Sequence, residues 1–170
     1  RYLHDIGHRH IAYISGPDTA AATKYRLKGY SNTLKELGLP QSPDWIVESD
    51  WSNEGGYAAM KKLMEKKEIT AVIASNDETA IGAMRALQEA GKAVPDDISI
   101  VGYDDIPVAS WVYPKLTTVR QPFVEIGTMA AEGLFRKVAG TEEEPRSHLL
   151  KPTLIIRNSC NAINNREGLV

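Results

Sequence analysis

Apolar residues along this chain fall in short runs, and between the runs they recur at helical spacing. Ile11-Ala-Tyr-Ile-Ser15, Trp45-Ile-Val-Glu-Ser49, Ala71-Val-Ile-Ala74, Ile98-Ser-Ile-Val-Gly-Tyr103 and Leu116-Thr-Thr-Val119 are too short for helices. Bounded by turn formers, they read as buried strands. After the first, Leu27, Tyr30, Leu34 and Leu37 form one stripe of a helix that stops at Gly38. A second helix spans Asn53 to Glu65, with Tyr57, Met60 and Met64 inward, and a third spans Glu78 to Ala90, ended by Gly91. Asp77 is placed to cap that third helix, with Glu78 adding charge to its first turn. Strands alternating with helices predict an α/β fold: a doubly wound parallel sheet with right-handed crossovers. Tyr2-Leu-His-Asp-Ile-Gly7 resembles the last turn of a further helix, with Gly7 as its left-handed cap, so the chain reads as truncated at the amino terminus.

The last third is less regular. Phe123, Ile126, Ala130, Leu134 and Val138 make a helix stripe stopped by Gly140, and Thr141 to Pro145, with three glutamates, reads as a solvated loop. Leu149-Leu150 and Leu154-Ile155-Ile156 are separated by Lys151-Pro152, and the proline breaks any continuous strand. A chain crossing between two domains has this pattern.

A chain of 170 residues can bury a real core, and its formal net charge of −2 leaves no electrostatic footprint for nucleic acid. No apolar run approaches the roughly 20 residues of a membrane helix. The single cysteine, Cys160, excludes an intrachain disulfide framework and fits a reducing compartment.

Polar residues at the strand ends form one group. Arg26 lies one turn into the first full helix, Asp50 and Trp51 follow the second strand, Asn76 the third, and Asp104 the fourth. Parallel strands deliver their carboxyl ends to one rim, where ligands of open α/β sheets bind. An arginine fork, carboxylates, an amide and an indole suit a sugar, offering hydrogen bonds to vicinal hydroxyls and an aromatic face for its C–H side. Helix capping alone would also place Asp and Asn after strands. Catalytic readings find no support: there is no Gly-x-Ser-x-Gly elbow, phosphate loop or Gly-x-Gly-x-x-Gly turn. Asp104 and Asp105, adjacent on an extended strand, cannot both face one substrate. His4 and His8 have metal-ligand spacing, but Gly7 interrupts the helix between them, and Cys160 has no base beside it. The helix bearing Ile81, Met84, Arg85 and Leu87 is large or apolar on more than one side. It is either buried on two faces by its own domain, or it meets a partner together with Trp111 and Tyr113.

Taken together and in order, Gly7-His-Arg-His-Ile-Ala-Tyr-Ile-Ser-Gly-Pro17, Arg26-x-x-Gly29-Tyr30, Asp50-Trp51-Ser52, Ala74-Ser-Asn-Asp77, Ala80-Ile-Gly-Ala-Met-Arg-Ala-Leu87, Val94 to Pro107 and Leu116-Thr-Thr-Val-Arg-Gln-Pro122 resemble the lactose/galactose repressor family of bacterial transcription regulators. The resemblance implies a two-subdomain effector-binding core shaped like periplasmic sugar-binding proteins. It assigns residues 1–121 and 152–160 to the carboxyl-terminal subdomain, 122–151 to a segment packing on the other subdomain, and 161–170 to a tail. It further implies that Arg26, Asn76 and Asp104 hydrogen-bond the sugar, Trp51 stacks on it and Phe123 lies at the cleft mouth. Ile81, Met84, Arg85, Val108, Trp111, Val112 and Tyr113 would form a homodimer interface. The expectation is therefore a cytoplasmic, effector-responsive regulator with no enzyme activity, cofactor or metal. It would meet operator DNA only through an amino-terminal headpiece outside this chain, and meet no membrane. A periplasmic sugar receptor of a transporter and an α/β enzyme are the competing classes.

Overall fold

The computed structural model describes residues 1–140 and 148–163. Strands β1 (Ile11–Ser15), β2 (Ile46–Glu48), β3 (Ala71–Ala74) and β4 (Ser99–Val101) form a parallel sheet in the order β2-β1-β3-β4. In register, Tyr13 pairs with Ile46 and Ile73, and Ala71 with Ser99. Helices α1 (Tyr2–Asp5), α2 (Ala21–Glu36), α3 (Asn53–Leu63) and α4 (Asp77–Glu89) flank it. This is the α/β architecture expected from the alternating pattern.

Side chains alternate across β1 and sort into two cores. Ala12 and Ile14 join Met60, Leu63, Leu87, Ile100 and Leu116 under α3 and α4. Ile11 and Tyr13 join Leu3, Tyr30 and Leu34 under α1 and α2, where the Tyr13 and Tyr30 rings stack 5.1 Å apart. Helices α3 and α4 touch backbone to backbone. A Cβ on Gly82 would lie 1.9 Å from the Asn53 carbonyl oxygen, and one on Gly56 would lie 2.1 Å from that of Thr79.

Some local expectations are corrected. Asn76, not Asp77, caps α4: its extended backbone lets Oδ1 accept from the Thr79 amide at 2.9 Å. Asp77 falls one residue inside the helix and is fully buried. Trp45 belongs to a short 3-10 turn, Pro43–Trp45, and α3 ends at Leu63 rather than Glu65. Met60 is the fully buried member of the expected inward trio, while Tyr57 and Met64 only lean on the core.

The strand expected at Leu116–Val119 starts later, as β5 (Thr118–Arg120), and pairs antiparallel with β6 (Thr153–Ile155). Thr117 and Arg120 touch the β4 side through isolated parallel bridges to Val101 and Asp104. Strand β6 opens directly after Pro152. Between β5 and β6 the chain runs through α5 (Phe123–Val138), which buries none of its residues. The acidic stretch Thr141–Pro145 lies outside the described residues.

Candidate functional site

The carboxyl ends of β1 to β4 and the second turn of α2 meet at one rim, and Arg26 is its fixed point. Its Nη1 donates to the Ser75 carbonyl, its Nη2 lies 3.7 Å from Asp104 Oδ1, and its guanidinium rests 3.9 Å from the centroid of the Tyr103 ring. The arginine thus bridges the ends of β3 and β4. Burial raises the Asp104 carboxyl above its ordinary value, while a hydrogen bond from Gln121 Nε2, 2.6 Å, and the charge of Arg26 draw it back. Asn76 bridges the ends of β2 and β3, since its Nδ2 donates to the Trp51 carbonyl at 3.0 Å. Capping and bridging use one acceptor site and one N–H, leaving the amide one of each for a ligand.

Trp51 has a φ of 68° and lays its indole over Gly16, where a Cβ would lie 1.7 Å from Nε1. That Nε1 is buried without a hydrogen-bond partner among the described residues, as are Tyr13 Oη, Thr23 Oγ1 and Ser75 Oγ. Buried polar atoms are almost always satisfied, so a group of orphans beside one rim is what a polar ligand or ordered water would complete. Arg26, Tyr13, Ser75 and Tyr103 also line a largely apolar trough with a cavity volume of ≈ 360 Å³.

Asp50 is held elsewhere. Its Oδ1 accepts from the Ser52 amide and hydroxyl at 3.0 and 2.6 Å, which lowers its pKa, and it lines a shallow depression with Glu48, Gly55 and Lys62. Phe123, half-exposed at the start of α5, shares a crevice with Asp104 and Gln121. Asp104 and Asp105 both line that crevice but take different partners, Gln121 and Arg26 for the first and Arg120 and Arg157 for the second, and their positive φ angles of 113° and 58° replace the extended backbone expected there.

Ile81, Met84, Arg85, Val112 and Tyr113 line one surface crevice. Trp111 is 86% and Tyr113 98% exposed, and Val108 is exposed nearby. Met84 is buried in its own subunit, whereas Arg85 pairs with Glu89 at 2.9 Å on the surface. The histidines near the amino terminus serve separate ends: His4 meets Asp5, His10 packs edge-on to Trp45, and buried His8 joins Thr70 and Ser99. Burial lowers the His8 pKa, against the pull of a hydrogen bond with the Asn161 carbonyl. Cys160 is buried, with its thiol pushed up to about 11 and donating to the Ile100 carbonyl.

Tyr103, Ser75 and Gln121 were not singled out by sequence reasoning. Tyr103 reads as the end of an apolar strand, and only its position directly before Asp104 hints at the rim.

A parallel sheet with a polar rim at its carboxyl ends is the architecture in which open α/β domains bind ligands. Residues 1–160 match the family of the periplasmic binding protein-like domain. The chain belongs to that family, in its lactose/galactose repressor branch. It is 39% identical over 158 residues to the ribose operon repressor of Haemophilus influenzae, covering 92% of this chain and 48% of that one. It is 37% identical over 166 residues to the HTH-type transcriptional repressor PurR of Vibrio campbellii, covering 96% and 49%. Among solved structures, a transcriptional regulator CelR–cellobiose complex superposes with a TM-score of 0.89 at 34% identity, covering 93% of this chain and 49% of that one. The chain therefore spans about half the length of the relatives it matches.

Proposed function

We propose that this chain is the effector-binding and dimerisation domain of a DNA-binding transcription regulator, with a neutral, hydroxyl-rich, sugar-like effector. The observation that carries the reading is the rim itself: Arg26 and Asp104 offset each other's charge beside unpartnered Trp51 Nε1 and Ser75 Oγ. A site that balances its own charge favours hydroxyls over a phosphate. The relatives named for ribose and solved with cellobiose support the same class. Arg26, Asn76 and Asp104 are the hydrogen-bonding set, Trp51 the stacking face, and Phe123 the residue at the mouth. Asp50, tied to Ser52, contributes from outside this set.

In the proposed mechanism the effector binds one arrangement of the core better than another and so shifts the DNA affinity of a dimer. Operator contact belongs to a segment outside this chain, and residues 122–151 to packing against a second subdomain. The named relatives are repressors, which favours a cytoplasmic regulator over a transport receptor or an enzyme. No described helix is long and apolar enough to cross a membrane.

Thermal-shift titration against D-ribose, cellobiose and a wider sugar panel tests the effector class, because a specific ligand raises the midpoint with concentration. Asp104→Ala is expected to weaken the bound sugar by roughly one to two decades, the loss of about 1–3 kcal/mol. Asn76→Ala loses affinity too, but it also removes the cap of α4, about 1 kcal/mol of stability. If no polyhydroxyl ligand shifts the wild type, the effector class is wrong.

A further inference from the structure

Beside the ligand carboxylate lies a second one that a sugar site does not need. The Asp105 side chain is 6% exposed, and each of its oxygens holds a different arginine. Oδ2 accepts from Arg120 Nε at 2.6 Å, and Oδ1 accepts from Arg157 Nη2 at 2.5 Å. Arg120 ends β5, the strand leading into α5, and Arg157 follows β6, the strand returning from it. Arg157 is 15% exposed and is itself anchored, donating through Nη1 to the Leu116 carbonyl and through its amide to Thr117 Oγ1. One carboxylate thus grips both strands of the crossover.

Asp104, directly before it, reaches only the outgoing strand. Its amide donates to the Val119 carbonyl, and its carboxylate takes Gln121 and faces Arg26. The two residues have positive φ in succession, at 113° and 58°. Asp tolerates positive φ better than most residues, and the Asp105 ion pairs hold the second of these conformations in place. A ligand that takes hold of Asp104 must work against Gln121 and Arg26, and it moves a backbone whose next side chain is fixed to β6.

We infer that Asp105 is a positioning residue that couples the state of Asp104 to both crossover strands, making the returning strand β6, whose Leu154 lines the same trough, respond to a carboxylate with which it shares no hydrogen bond. This rests on the effector reading for its purpose but not for its geometry, so the test uses no ligand. Neutralising Asp104 stands in for engaging it. Asn tolerates positive φ as Asp does, so Asp104→Asn and Asp105→Asn alter charge without adding backbone strain.

Hydrogen exchange is followed in segments 116–120 and 153–157 for the wild type, each single variant and the double variant. Asp104→Asn is expected to change exchange in 153–157 by about threefold or more when Asp105 is present, and to leave it unchanged in the Asp105→Asn background. A merely structural Asp105 would instead give effects that multiply independently. Should Asp105→Asn not fold, Arg157→Gln replaces it as the background, with the same loss of response expected at 153–157. Independent effects, or a segment 153–157 indifferent to Asp104 in the wild-type background, overturn the inference. Absence of sugar binding would overturn the effector class and leave this coupling standing.

Discussion

Among single residues, Asp77 has the sharpest physical consequence. Its carboxylate lies fully buried at the start of α4, accepting from Thr118 Oγ1 and from the Ile106 amide. Burial pushes its pKa from 3.8 up to about 6, against the pull of those two hydrogen bonds. An acid raised on folding holds its proton more tightly in the folded chain. Its stabilising contribution is therefore complete below the ordinary value and is lost as pH rises from 3.8 to about 6. Raising the carboxyl that far is worth on the order of 3 kcal/mol. Asp77→Asn keeps an acceptor for Ile106 and lets the Thr118 hydroxyl turn to accept instead. Urea unfolding from pH 4 to 8 should show the wild type losing stability relative to this variant through that window, with the variant unfolding no earlier at pH 7. Parallel curves for the two proteins would sink the claim. The exchange of roles between Asn76 and Asp77 also marks a limit of sequence. Both residue types cap helices, and the choice depends on where the strand releases the backbone. In the same way, nothing in a strand-end tyrosine tells that the Tyr103 ring will lie beneath Arg26.

At the level of elements, α3 and α4 approach each other backbone to backbone, and two glycines make it possible. Gly82→Ala gains about 1 kcal/mol of helix propensity, but its Cβ meets the Asn53 carbonyl, a backbone group that cannot step aside. The net effect should be a loss of about 1–3 kcal/mol. Gly29 in α2 faces open space, with nothing within 4 Å of where a Cβ would lie, so Gly29→Ala should gain about 1 kcal/mol. Melting temperatures moving in opposite directions would bear out the distinction, and equal shifts would refute it. Helices and parallel strands were legible because periodicity, strand length and stopping glycines agree: Gly38 and Gly91 both have the positive φ a helix end requires. The β5–β6 pairing was not legible. Leu116-Thr-Thr-Val looks like any buried strand, and the short segment after Pro152 finds its partner more than thirty residues back.

For the whole molecule, the surface at Val108, Trp111 and Tyr113 supports the proposed two-fold dimer. Trp111 and Tyr113 are nearly free of their own subunit, whereas Ile81 leans on its core and Met84 lies within it. Trp111→Asp is therefore a cleaner probe than Ile81→Asp. It should leave the melting temperature of the monomer unchanged and split a micromolar dimer in sedimentation, because an unpaired buried carboxylate costs several kcal/mol. An unchanged association state would remove this face as the interface. The exposed α5 has a different consequence. Sixteen residues of helix with no buried side chain are marginal in water, so this segment opens at little cost while the sheet opens only with the whole domain. Trypsin at low dose should cut first at Arg136 or Lys137. The carboxyl-terminal piece should nonetheless stay bound, because Arg157 grips Asp105, the Asn158 amide donates to the Lys115 carbonyl, and Ser159 donates to Ile100. The nicked molecule should elute as one particle in native buffer and as two fragments in denaturant, a non-covalent complex of two pieces joined where the chain passes back into the sheet.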